Sequence, residues 1–283
     1  MKEIKTIGVV GAGQMGSGIA QVAAVSGYSV LLYDAFPGVA AKAAERMKAS
    51  LDKLLAKGKL DQEKHDFAVQ AVKVVDTLEE TAKADLVVEA AVEKVELKKE
   101  LFAALDKAAA PDVILASNTS SISLTEIASA TSRPDKVIGM HFFNPAPVMK
   151  LLEVVKGYLT SQETIDTVLE IGKQMGKVTV VAVDKAGFIV NRILDPMLNE
   201  AIFLLEEGVG TAEDIDNGMK FGCNHPMGPL ALTDLIGLDV LLAVMEVLYR
   251  EYGDSKYRPA PLLKKMVRAG KLGKKTGEGF FKY

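Results

Sequence analysis

The chain reads as an α/β Rossmann-type N-terminal domain, with a mostly parallel sheet, followed by an all-α C-terminal domain. Three observations carry that reading. Up to about residue 185, short apolar runs alternate with Ala/Lys/Glu-rich stretches of helical spacing, the rhythm of a parallel sheet covered by helices on both faces. The first apolar run opens directly onto a glycine-rich turn, GAGQMG. Beyond Gly187 the strand-like runs cease and long helical segments take over.

In chain order, the strand-like runs are TIGVV (6–10), SVLLYD (29–34), ADLVVEA (84–90), DVILAS (112–117), KVIGMHF (136–142), LLEVV (151–155) and KVTVVAV (177–183). The pair joined by the Pro-containing loop 143–149 breaks the alternation, so a different, antiparallel edge is expected there. From Gly187, GFIVNRILDPMLNEAIFLLEEG reads as a long helix with Gly208 past its end. TAEDIDNGMKFG offers Thr211 as an N-cap. PLALTDLIGLDVLLAVMEVLYREYG is a third helical region and PAPLLKKMVRAG a fourth. The third is unusually apolar, which fits either a core within the chain or a face buried against a second subunit. The expected division is 1–185 and 186–283.

Composition narrows the function. Of 283 residues, 49% are hydrophobic and 25% charged, the profile of a globular protein with an ordinary core. A net charge of −3 argues against nucleic acid as partner. The single cysteine, Cys223, excludes an internal disulfide framework and a Cys-based metal cluster, and fits a reducing, cytoplasmic setting. No metal site is expected. The N-terminal run MKEIKTIGVVGAG is a poor signal peptide. No apolar stretch reaches the roughly 20 residues of a membrane span.

GAGQMG (11–16) follows the first strand and opens a helix, IAQVAAVSG. A second strand then ends in Asp34, 18 residues after Gly16. This is the βαβ context of a dinucleotide site. Gly11 permits the tight turn, Gly13 the approach of a pyrophosphate, and Gly16 the packing of helix on strand. The backbone from Gly13 through Gln14 and Met15 presents N–H groups to the phosphates, and Asp34 is placed for the adenosine ribose. Later strands deliver Glu93 and Lys98, then Ser117, Asn118, Ser120 and Ser121, to the same carboxyl-end edge, where ligands of open α/β sheets bind. Ser121 and Ser123 also suit capping of the next helix.

His141, one of 3 histidines, falls at the carboxyl end of a strand. Twelve residues later the chain has turned on Pro145 and Pro147 and runs back through Glu153. Either group alone is costly among apolar residues. Paired, the carboxylate keeps the imidazole oriented and basic.

Taken together, GAGQMGSGIA, VVEAAVE, SNTSSI, HFFNPAPVMKLLEVV, GFIVNRIL, HPMGPLALTDLIGLD and GKKTGEGFFKY resemble the L-3-hydroxyacyl-CoA dehydrogenase family over the whole chain, without the hydratase fusion of its multifunctional members. The resemblance implies NAD as cofactor and a short-chain acyl-CoA pair, (S)-3-hydroxybutyryl-CoA and acetoacetyl-CoA, as substrates. It implies His141 as general base, Glu153 as the group that orients it, and Ser120 as a contact to the reacting oxygen and the cofactor. It further implies Asn144 on the nicotinamide side, Asn191 near the substrate carbonyl, Glu93, Lys98 and Lys275 among the cofactor contacts, and Ser50 and Lys57 as holders of the acyl-CoA. By the residues alone, Lys53, Lys57 and Lys59 read as a solvated face. The run LIGLDVLLAVMEVL (235–248) is too apolar for a solvated helix, so the helical domain is expected to bind substrate and to pair subunits in a homodimer.

Two rivals come from other classes. One is an NAD-dependent dehydrogenase of a hydroxy acid without CoA, such as a sugar acid. The other is a non-catalytic NAD-binding structural relative, against which the set His141, Glu153, Ser120 and Asn191 argues. Hydroxyacid dehydrogenases with a lysine base share the first domain but not the His–Glu chemistry.

Overall fold

A computed structural model of the chain describes residues 3–283; Met1 and Lys2, the start of the N-terminal run read above, lie outside it. The chain divides into two compact units, the first ending at Lys185 and the second Ala186–Tyr283.

The first unit is built in the order β1 (Thr6–Val10), α1 (Gln14–Val25), β2 (Ser29–Tyr33), α2 (Val39–Ala56), α3 (Gln62–Ala71), β3 (Val72–Val74), α4 (Leu78–Thr81), β4 (Leu86–Glu89), α5 (Val95–Ala108), β5 (Ile114–Ser117), α6 (Leu124–Ala128), β6 (Val137–Phe142), β7 (Leu151–Lys156), α7 (Gln162–Gln174) and β8 (Val178–Val183). The eight strands form one sheet in the order β3-β2-β1-β4-β5-β6-β7-β8. Every neighbouring pair is parallel except β6 and β7. Strand order reverses between β1 and β4, and that reversal opens a crevice at their carboxyl ends. Ile7, Val9, Val30, Leu32, Leu86, Val88, Ala116, Ile138 and Val154 lie in one buried cluster with Ile19, Ala20 and Ala23 of α1. Strands buried on both faces explain why the runs are apolar throughout instead of alternating.

Two expectations need correcting. The antiparallel pair is not an edge of the sheet, because the chain crosses through α7 and lays β8 parallel to β7 on its outer side. The strand β3, VKV, went unread: it has three residues, and Lys73 and Val74 are exposed on the other sheet edge, so it carries no apolar run to see.

The second unit comprises α8 (Val190–Glu206), α9 (Ala212–Asn217), α10 (Pro229–Ile236), α11 (Leu238–Tyr252) and α12 (Pro261–Arg268). Thr211 caps α9 in a reciprocal capping box with Asp214, and Gly208 takes the left-handed conformation past α8 (φ 73°). The apolar third region is two helices, not one. Gly237 breaks it with φ 106°, ψ 127°, a conformation closed to other residues. Leu238, Leu241, Met245 and Leu248 of that region enter the unit's own core, with Leu198, Ile202, Leu230 and Leu263. Leu235 and Val240 stay exposed. No helix among the described residues is long and apolar enough to cross a membrane.

Asp195, in α8, is buried, and its Oδ2 has no hydrogen-bond partner among the described residues. Burial pushes its carboxyl up to about 7. The folded state therefore holds this proton to higher pH than the unfolded chain, so stability falls as pH rises from about 4 to about 7. Asp195→Asn is expected to match the wild type in denaturant unfolding at about pH 4 and to exceed it at about pH 8. The gain is up to roughly 4 kcal/mol, the free energy of holding a carboxyl protonated across that pH range. A stability difference that does not change with pH would refute this.

Candidate active site

The glycine-rich turn spans the switch point of the sheet. Gly11, at φ 95°, donates its N–H to Tyr33 O at 2.8 Å. A Cβ there would meet Ala90 O at 2.7 Å, and one on Gly16 would meet Gly11 O at 1.7 Å. Gly13 differs: a Cβ on it would meet nothing within 4 Å. Packing thus requires glycine at positions 11 and 16, whereas the surface over Gly13 is open to a ligand. The amino end of α1 receives no side-chain cap, so the N–H groups of its first turn, which begins at Gln14 and Met15, face outward with the helix's partial positive charge. That is a cradle for a pyrophosphate. Asp34 follows β2 directly and is already fixed: Oδ2 accepts from Ala12 N–H at 2.7 Å and Oδ1 from Phe36 N–H at 2.9 Å. The residues present fit a bound NAD.

Asp34 leads to a prediction about the cofactor. A 2′-phosphate beside this carboxylate adds like charge, worth ~1 kcal/mol or more depending on screening, and Ala35 and Phe36 offer no cation to offset it. NADH should be preferred over NADPH in kcat/KM, and the preference should shrink in Asp34→Ala. A wild-type preference for NADPH would contradict the role given to Asp34.

Along the same edge stand β5 and β6. Their register pairs Ser117 with Gly139, so Ser120, three residues past the end of β5, and His141, near the carboxyl end of β6, come to the same edge. Asn118 joins the two ends, its Oδ1 accepting from Phe142 N–H at 2.9 Å. His141 and Glu153 are direct partners in the antiparallel β6–β7 register, which places both side chains on one face of the sheet. His141 Nδ1 and Glu153 Oε2 are 2.7 Å apart, with both side chains buried. A carboxylate on Nδ1 holds the ring proton there and leaves Nε2 as the basic nitrogen. The Phe143 ring lies 4.6 Å from the imidazole centroid. Asn144, exposed, follows in the same loop and is joined to Pro145 by a cis peptide bond.

Glu93 grips the turn that carries Ser120. Its Oε1 accepts from Thr119 Oγ1 at 2.5 Å, Ser120 N–H at 2.9 Å and Ser121 N–H at 3.1 Å. Burial works to raise the Glu93 carboxyl, but the Lys98 charge and the bonds from Thr119 and Ser120 together hold it below the usual range. Of the two serines read as caps, Ser123 does cap α6, while Ser121 turns to Glu93. Lys98, expected to touch the cofactor, is 1% exposed, with its ammonium at 2.7 Å from Glu89 and 3.3 Å from Glu93.

Other expected residues lie on separate elements. Ser50 is half-buried in α2 and Lys57 exposed at its end, with Leu54 between them lining a hollow of about 300 Å³ together with Pro147, Val148 and Lys177. Asn191 occupies the first turn of α8 and Lys275 pairs with Asp239, both in the second unit. Two residues went unread: Glu89, whose place at the end of ADLVVEA made it look like part of a strand, and Lys177, buried and donating to Ala146 O at 2.6 Å and Met149 O at 2.8 Å. The second had no signal, since a lysine anchored to carbonyls leaves no charge pattern.

A phosphate cradle at the switch point, an acid at the end of β2 and a buried His–Glu pair on the same edge define a nicotinamide-dependent dehydrogenase. The model of the 3-hydroxyacyl-CoA dehydrogenase NAD binding domain matches residues 6–185, and that of the 3-hydroxyacyl-CoA dehydrogenase C-terminal domain matches residues 187–283. The chain belongs to the 3-hydroxyacyl-CoA dehydrogenase family, and its cofactor is NAD. It is 53% identical, over 99% of its length and 98% of the relative's, to a probable 3-hydroxybutyryl-CoA dehydrogenase of Bacillus subtilis. It is 52% identical to a 3-hydroxybutyryl-CoA dehydrogenase of Clostridioides difficile, over 98% of this chain and 99% of the relative. A crystal structure of an (S)-3-hydroxybutyryl-CoA dehydrogenase from Ralstonia eutropha superposes with a TM-score of 0.96 at 49% identity, covering 99% of each chain.

Proposed function

We propose that the chain interconverts (S)-3-hydroxybutyryl-CoA and acetoacetyl-CoA with NAD(H), His141 acting as the acid–base. The single observation that carries the chemistry is the buried His141–Glu153 pair beside the dinucleotide crevice. The substrate reading is supported by relatives of that name at about half identity over their full lengths.

In the oxidation, hydride leaves C3 with the C–H electron pair, the hydroxyl loses its proton, and the O–H electron pair forms the second bond of the 3-keto C=O. Bound NAD supplies the hydride acceptor. His141 Nε2 takes the hydroxyl proton, and Glu153 stabilises the imidazolium that results. Ser120 holds the same oxygen, so that the oxygen lies between the hydroxyl and the imidazole. In the reverse direction His141 returns the proton to the 3-keto oxygen. Asn144 supports the nicotinamide side and Asn191 the thioester end, with Glu93 and Lys275 toward the cofactor. Ser50 and Lys57 hold the CoA, whose binding energy is spent away from the reacting carbon.

We also propose a cytoplasmic homodimer in which the second unit binds substrate and pairs copies, supported by the exposed Ile193, Leu235 and Val240. Sedimentation at a single chain's mass in the micromolar range would argue against the dimer.

The test of function is NADH oxidation driven by acetoacetyl-CoA, with free acetoacetate as control. Turnover with the thioester and none with the free acid supports the proposal. Equal turnover of the two would favour a hydroxy acid without CoA, and no turnover of any ketone would favour a binding protein.

A further inference from the structure

The turn carrying Ser120 is held at both of its ends by carboxylates, and the two carboxylates are linked by one ammonium. At its start, Ser117 Oγ donates to Glu89 Oε2 at 2.6 Å. Glu89 is the last residue of β4, fully buried, and its Oε1 also accepts from Ala91 N–H at 2.6 Å. Lys98 Nζ donates to both oxygens of Glu89, at 2.7 and 2.9 Å, and reaches Glu93 Oε2 at 3.3 Å. Glu93 closes the ring through its other oxygen onto Thr119, Ser120 and Ser121. Thr119 is 1% exposed, and its Oγ1 also accepts from Ile122 N–H at 2.9 Å, so the hydroxyl ties Glu93 to the backbone on either side of Ser120.

We propose that Lys98 and Thr119 are positioning residues that act on the substrate through Ser120. This rests on the reading of Ser120 as a contact to the reacting oxygen. The argument is electrostatic and geometric. Without Lys98, two carboxylates near the buried end of β4 face each other with no cation between them and repel. Glu89 is enclosed, whereas the Glu93 side chain is 36% exposed, so Glu93 is the one that moves toward water. Its departure removes the acceptor of the Thr119 hydroxyl and of the Ser120 and Ser121 N–H groups at once, and Ser120 leaves the position set beside the end of β6. Thr119→Val breaks the same link from the other side without touching the ion pairs. A misplacement of about 1 Å at a reacting group costs up to ~100-fold in rate.

The experiment is a pair of double-mutant cycles. Lys98→Met and Thr119→Val are each made in the wild type and in Ser120→Ala. Turnover of acetoacetyl-CoA with NADH and the Kd for NADH without acyl-CoA are measured, with thermal unfolding as a check on folding. The expected result is a loss in kcat of ~10–100-fold for each single variant, shrinking to about 2-fold or less in the Ser120→Ala background, with any change in the NADH Kd smaller than the loss in kcat. Equal losses in both backgrounds would overturn the inference while leaving the reading of Ser120 intact. A Lys98→Met loss confined to the NADH Kd would overturn it in favour of a direct cofactor contact. Should Lys98→Met not fold, the Thr119→Val cycle decides by the same rule. Wild-type kcat in Ser120→Ala would remove the reading of Ser120 itself, and the inference with it.

Discussion

His141→Ala is expected to lower kcat for acetoacetyl-CoA reduction by ~10²–10⁴, the usual worth of a positioned general acid–base, with NADH binding unchanged. The split follows from the architecture. On the proposed reading the turn after β1 and Asp34 after β2 take the cofactor's phosphates and ribose, and β4 and β5 separate both from the dyad. His141 enters only when a proton must move. The variant also leaves the Glu153 carboxylate buried without the imidazole, and breaking a buried pair costs about 3–5 kcal/mol of stability. His141→Gln is therefore the companion variant, since its amide can still donate to the carboxylate. Both should lose rate; only the alanine variant should lose much stability. A His141→Gln enzyme with near wild-type kcat would remove the histidine from the chemistry.

Glu153→Gln is expected to cut kcat by ~10²–10³, the range for removing one preorganised charge-stabilising group. The glutamine fills the same space but carries no charge to stabilise the imidazolium. Its amide can also present N–H to Nδ1, which would move the ring proton to Nε2 and abolish the base there. NADH affinity should hold, because Glu153 lies inside the sheet with 0% exposure. A Glu153→Gln enzyme with wild-type turnover would show that His141 acts without an orienting partner.

Much of this site was legible in the sequence because local signals carried it. GAGQMG between a strand and a helix reads as a phosphate turn wherever it occurs in that context. The spacing from His141 to Glu153 across a proline-containing turn returns one strand onto the other, and the register then needs only to be antiparallel. The ring under Ser120 was not legible. Lys98 was read at this sheet edge, but nothing in EKVELKKEL shows that it is buried while Lys99 is partly exposed. Its burial is decided by Glu89, nine positions earlier on another element. Asp195 was hidden for a related reason: in ILDPML an acid every few residues is ordinary for an exposed helix face, and only packing shows it enclosed. The break at Gly237 was visible as a glycine, yet apolar periodicity continued on both sides and masked it.

The central claim is that this chain carries hydride between a nicotinamide and C3 of a 3-oxoacyl thioester while His141 supplies the proton. The most direct measurement uses NADH deuterated at its transferable hydrogen, acetoacetyl-CoA and mass spectrometry of the thioester product, for the wild type and His141→Gln. The account predicts 3-hydroxybutyryl-CoA with one deuterium, on C3, from the wild type and only a trace of the same labelled product from the variant in the same time. Deuterium absent from C3, or labelled product formed equally fast by His141→Gln, would contradict it.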